Sequence, residues 1–157
     1  MSRRAALLVL AAPVLVAGCL DVIDGLDPMV GNPINERCAN EDSDPRQDVS
    51  FSQQVLPILK GAAGPVGCSC HQPTDPNPIG LEQVGLNLSS YASLRAGGVN
   101  SRATIVVPAQ PCSSVLWQKI SAGPPFGSRM PFSGPPFLEP AQRQLIADWI
   151  AEGALDD

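Results

Sequence analysis

The chain has one histidine and five cysteines in 157 residues. The histidine, His71, follows directly on Cys70, and Cys68 stands two positions before Cys70, giving Cys68-Ser69-Cys70-His71. A cysteine thiol can add to a vinyl group of a haem, and an adjacent imidazole can then reach the iron. The usual spacing for that chemistry places two residues between the cysteines. Here Ser69 alone separates them. Met130, in Arg129-Met130-Pro131, offers a soft thioether that suits low-spin haem iron.

The elements that must hold these side chains can be read from the pattern around them. Ser50 followed by Gln53 has the form of a helix cap, and Phe51, Val55, Ile58 and Leu59 fall at helical spacing. Pro57 lies inside that pattern and should kink the helix or end its first part. The spacing predicts a loop over 61–67, leading into the cysteine–histidine run, and another over 72–85, which is proline-rich and lacks periodicity. A short helix is expected over 90–96, stopped by Gly97-Gly98. Ile105-Val106-Val107 reads as a small apolar run that is extended before Pro108. Ser113 or Ser114 can cap a helix to about Ser121, with Val115, Leu116 and Ile120 inward. A long Pro/Gly loop over 123–136 carries Met130. The last helix opens at Pro140, presents Leu145, Ile146, Trp149 and Ile150 as one stripe, and stops at Gly153. No hairpin, repeat or βαβ unit is apparent. The fold class expected is mostly α, a small helical domain with long Pro/Gly-rich loops.

Ahead of this unit, Arg3 and Arg4 precede an uncharged apolar stretch over 5–16. It is shorter than the roughly 20 residues needed to span a bilayer as a helix, and its flanks fit a secretory signal. It ends in Val16-Ala17-Gly18-Cys19, which resembles the bacterial lipobox. That resemblance implies a lipid on Cys19, cleavage before it, and an exported protein anchored at the periplasmic side of a membrane. Leu20, where aspartate would favour inner-membrane retention in some bacteria, points to the outer membrane. The chain then divides into a lipoprotein signal peptide (1–18), a flexible tether (19–48) and a folded domain (49–157). The tether is rich in Gly, Pro, Asn and acidic residues, so it can bury little.

The net charge of −5 and the lack of a basic stripe with interleaved aromatics give no support to nucleic-acid binding. There is no credible Ser/His/Asp set, no paired carboxylates in an apolar frame and no phosphate-cradling glycine loop, so a stand-alone enzyme is not expected. Export places the cysteines in an oxidising compartment, where thiols are normally paired or otherwise consumed.

In order along the chain come the helix before Cys68, the Cys70-His71 step and Gly85-Leu86-Asn87-Leu88. Val107-Pro108, the helix with Trp117, Met130-Pro131 and the final Trp149-Ile150 helix ending in Gly153-Ala154 follow. This series resembles a single-haem cytochrome c domain of the kind found in exported planctomycete and myxobacterial proteins, over roughly residues 51–155. The resemblance implies a cytochrome c-like fold, haem c bonded through Cys68 and Cys70, and iron ligation by His71 and Met130. It implies electron transfer with redox partner proteins of the cell envelope. The one-residue spacer departs from the family pattern and puts the reach of the two thiols to their vinyl groups in question. If haem takes Cys68 and Cys70, Cys38 and Cys112 are left to pair. If Cys68 is not joined to haem, a Cys68–Cys112 bridge leaves Cys38 over.

Three rivals stand beside this reading. The first is a haemless, disulfide-stabilised structural or binding lipoprotein, in which His71 is superficial and Met130 fills a core gap. The second is an electron-wiring subunit of an envelope oxidoreductase. A zinc site is the third, poorly served by a single histidine because zinc takes four tetrahedral Cys/His ligands. Trp117 and Trp149 read as core residues from their helical register rather than as electron relays. Lys119 and Arg129 can screen haem propionates or stand as solvated charges.

Overall fold

The computed structural model describes residues 38–64 and 66–157. Cys19, the signal segment and the tether as far as residue 37 lie outside the described residues. The described part is mostly helical, with no β-strand among the described residues.

Among the described residues five α-helices form the frame: α1 (Leu56–Leu59), α2 (Ile79–Val84), α3 (Tyr91–Ala96), α4 (Val115–Ile120) and α5 (Pro140–Ala151). A π-helical turn, Phe51–Val55, leads into α1. Its start is capped by Ser50, whose Oγ accepts from the Gln53 N–H, while Gln54 Oε1 accepts from the Ser50 N–H. Pro57 has no N–H for the carbonyl four residues back, and the ladder changes from π to α spacing immediately before it. The expected break at this proline is therefore a change of helical pitch.

Helix α3 carries a reciprocal cap in which Ser90 and Ser93 exchange side chain-to-backbone hydrogen bonds. In α4, Ser114 occupies the N-cap but does not cap with its side chain. Its hydroxyl accepts from the Val107 N–H at 2.8 Å instead, and so fastens the 107–114 turn. The region 72–85 departs from expectation, because Ile79–Val84 is helical rather than looped. Pro78 precedes that helix and Gly85, at φ +64°, closes it. Six helical residues bounded by two breakers are too few to display periodicity. The stretch 123–136 is free of helix, as its composition suggested.

Helix α5 is the centre of the core. Ile146, Trp149 and Ile150 are fully buried. The Trp149 ring lies 5.2 Å from Phe51 and 6.4 Å from Tyr91, and the last two meet edge-on at 5.4 Å. Such a cluster joins the beginning, middle and end of the domain around one apolar centre. Trp149 Nε1 donates to the Leu155 carbonyl and the Tyr91 hydroxyl to the Ala154 carbonyl, so neither polar tip is buried without a partner. Trp117 is partly buried against the same core.

The described end of the tether is fastened to this unit. Cys38 and Cys112 form a disulfide with a Cα separation of 5.7 Å, within the usual range. Nearby, Asn40 Oδ1 accepts from the Cys112 N–H, and Asp148 Oδ1 accepts from the Asp44 N–H. The alternative Cys68–Cys112 bridge is not formed; Cys68 and Cys70 are free thiols.

Replacing Cys38 and Cys112 together by serine should lower the unfolding free energy by about 2–4 kcal/mol, because the bridge closes a long loop in the unfolded chain. Urea titration of both forms checks this; equal midpoints would show that the bridge contributes nothing.

Candidate functional site

The cysteine–histidine run forms a tight 3-10 turn over Ser69–His71. The His71 N–H donates to the Cys68 carbonyl at 3.0 Å and the Gln72 N–H to the Ser69 carbonyl at 2.7 Å. The turn is tied back to α1 by the Cys68 N–H, which donates to the Leu59 carbonyl. On its other side, the extended run Leu86-Asn87-Leu88 lies alongside. The Leu88 N–H donates to the His71 carbonyl, and Gln72 Nε2 donates to the Leu88 carbonyl.

That pairing fixes the imidazole. His71 is only 6% exposed, and its Nδ1 lies 3.1 Å from the Leu86 carbonyl oxygen. A carbonyl only accepts, so Nδ1 carries the proton and Nε2 keeps its lone pair. Among the described residues no group hydrogen-bonds Nε2. Burial holds the His71 pKa below its ordinary value; the Leu86 carbonyl opposes this and Lys119 adds to it. The ring is therefore neutral near pH 7, as a metal ligand must be.

Gly80 of α2 closes one face of the ring. A Cβ there would stand 2.8 Å from both Nε2 and Cε1 and 3.0 Å from Cδ2 of His71. Nearly equal distances to three ring atoms place it over the face, clear of the Nε2 lone-pair direction. Only glycine permits this approach.

His71 opens onto a crevice of about 290 Å3, within about 990 Å3 of atom-free space that includes its mouth. Leu86, Leu88, Ile105, Leu116 and Ile120 make much of its wall, with Cys68 and Met130. Phe126 and Phe132, both exposed, border it. Cys68 is 4% exposed. Burial, with a smaller contribution from Cys70, pushes its pKa up to about 12, so this thiol stays protonated and unreactive toward oxidants.

Met130 is held by α4. Its N–H donates to the Lys119 carbonyl at 2.7 Å, and Lys119 Nζ donates to the carbonyls of Phe126 and Ser128. Burial lowers the Lys119 pKa. Arg129 lies 4.0 Å from the centre of the Phe137 ring and donates to the Ile120 carbonyl. Both cations thus organise the Met130 loop, a role that their sequence context did not indicate.

Of the four residues singled out for a cofactor, Cys68, His71 and Met130 line one crevice. Cys70 does not. It is half-buried, and burial and Asp75 raise its pKa, partly offset by its own N–H and that of Gly80. Gly80 and the Leu86 carbonyl were not foreseen as parts of the site, since neither backbone approach leaves a side-chain signature.

The donor set decides what can be bound. Among the described residues no three His, Cys, Asp or Glu side chains converge to hold a metal ion. A group that brings its own equatorial ligands needs only two more from the protein. One neutral imidazole and one thioether in an apolar crevice meet the needs of haem iron, so the residues present fit that group. No protein-family model matches the chain, and neither does any curated protein or solved structure.

Two expectations follow for the ligand-free chain. Gly80→Ala should gain about 1 kcal/mol of helix propensity and lose about 1–3 kcal/mol by pressing a methyl on the imidazole. Net destabilisation with shifted His71 ring resonances is expected; a stabilised variant with unmoved resonances would contradict the close approach. The depressed His71 pKa also sets a pH dependence. The unfolded chain takes up a proton at the ordinary value of 6.5 and the folded chain only lower. This contribution is present above pH 6.5 and is lost as pH falls through the depressed folded value. Denaturation midpoints should fall more between pH 7.5 and 5.5 for the parent than for His71→Gln, and parallel losses would refute the assignment.

Proposed function

We propose that this chain is an electron-transfer protein that would carry one haem in the crevice, its iron held by His71 and Met130. The observation that carries the reading is the His71 imidazole, locked by the Leu86 carbonyl and with no partner for Nε2 among the described residues, lining the same apolar crevice as Met130. Haem iron ligated in this way exchanges single electrons between its ferrous and ferric states. The Leu86 carbonyl orients the ring and strengthens its donor nitrogen, as partners of ligating histidines commonly do. Gly80 keeps the ring face covered without displacing it. Lys119 and Arg129 hold the loop from which Met130 reaches the crevice. The aliphatic wall keeps water away, which together with a methionine ligand favours a raised potential.

Held by both His71 and Met130, the group would supply electron transfer rather than a site for substrate. The signal and lipobox grammar around Cys19 suits a protein exported and anchored at the periplasmic side of a membrane, with the outer membrane favoured. Its partners would be redox proteins of the cell envelope. The Cys38–Cys112 bridge supports this reading over a doubly bridged, haemless lipoprotein, because it leaves Cys68 and Cys70 as thiols.

Met130→Ala in the haem-loaded protein should lower the midpoint potential and open a coordination position to carbon monoxide or added imidazole. Potentiometric titration and ligand-binding difference spectra check this. A parent-like potential and spectrum would remove Met130 from the ligand set.

A further inference from the structure

The shortened spacing of the cysteine–histidine run has a geometric counterpart. A 3-10 turn advances about 120° per residue, so side chains three apart lie one above the other. Cys68, which precedes the Ser69–His71 turn, is joined to His71 by the hydrogen bond from the His71 N–H to the Cys68 carbonyl. Both line the crevice. Cys70, next to His71 within the turn, is rotated about 120° from it on that geometry. Its surroundings are the Asp75 carboxylate and the Gly80 N–H rather than the crevice wall. The first cysteine thus shares the crevice with the histidine, and the second does not.

We propose that haem is attached through Cys68 alone, by a single thioether, and that Cys70 remains a free thiol. This rests on the haem reading above. In the attachment step the Cys68 Sγ–H adds across one vinyl double bond. The S–H bond and the π bond are lost, a carbon–sulfur bond forms, and the proton goes to the neighbouring vinyl carbon. The addition is balanced without oxidant or reductant. The second vinyl group stays unsaturated. Burial of Cys68 suits the step, since a thiol shielded from solvent is kept from disulfide exchange before haem arrives. The Cys38–Cys112 bridge removes the two cysteines that could otherwise compete for it.

The test uses the full chain produced in a host that performs cytochrome c maturation, with the parent, Cys68→Ser and Cys70→Ser compared. Each is extracted with acidified acetone, denatured, treated with iodoacetamide without reduction, and mapped by peptide mass. The parent should retain its haem on extraction, take one carbamidomethyl group at Cys70 and none at Cys68, and show the pyridine haemochrome of a haem with one vinyl left. Cys70→Ser should retain its haem equally, and Cys68→Ser should release it. Haem retained through both cysteines, or lost from Cys70→Ser and kept by Cys68→Ser, would overturn the proposal. Haem that is bound by the parent but fully extractable, with Cys68 alkylated, would overturn the single thioether and leave the electron-transfer reading standing. Protein that takes up no haem in any form would overturn both.

Discussion

A neutral imidazole buried in an aliphatic wall has to satisfy its N–H within the protein, and in this chain the Leu86 carbonyl does so. Much of the architecture near His71 follows from that bond. It requires the extended run 86–88 to lie against residues 71–72, where two further hydrogen bonds hold it. The chain between these segments must turn back within a few residues. It does so through α2, whose Gly80 meets the ring face. With Nδ1 engaged and one face covered, the imidazole presents its Nε2 lone pair as its remaining functional group.

The rest of the molecule supports that arrangement from a distance. Helix α5, with Trp149 against Phe51 and Tyr91, fixes the core on which α1 and α3 rest. Helix α1 then positions the Cys68 turn through the Leu59 carbonyl, and α4 positions Met130 through the Lys119 carbonyl. The His71 and Met130 supports therefore come from different helices that share one core. Small helices and long loops gain definition from backbone hydrogen bonds and from the Cys38–Cys112 link, since the elements themselves are too short to be stable alone.

Parts of this were legible in the sequence, and the reasons differ by element. The twelve residues of α5 are long enough for the spacing of Ile146, Trp149 and Ile150 to be distinctive, and Pro140 marks their start. Ser50 announced the cap of the first helical turn, and the glycine pair at 97–98 marked the end of α3, while its Ser90–Ser93 cap was not foreseen. Helix α2 was hidden, because Pro78, Gly80 and Gly85 read as loop punctuation, while Gly80 is in fact required by a tertiary contact. His71 and Met130 were recognisable by residue type. What their types did not convey was that Cys68 joins them at the crevice and Cys70 does not, since that depends on the pitch of one turn. The work of Lys119 and Arg129 was equally hidden, because their partners are main-chain carbonyls.

The proposed role of the apolar crevice between the Cys68–His71 turn and the Met130 loop is that of a haem site used for one-electron transfer. A reduced-minus-oxidised visible spectrum of the full chain, purified from a host that attaches haem to cytochromes, tests it most directly. The account predicts one haem per chain, with the sharp, low-spin α and β bands of imidazole–thioether iron appearing on reduction. A purified, folded protein without haem absorbance, its Cys68 and Cys70 oxidised or paired elsewhere, would contradict it.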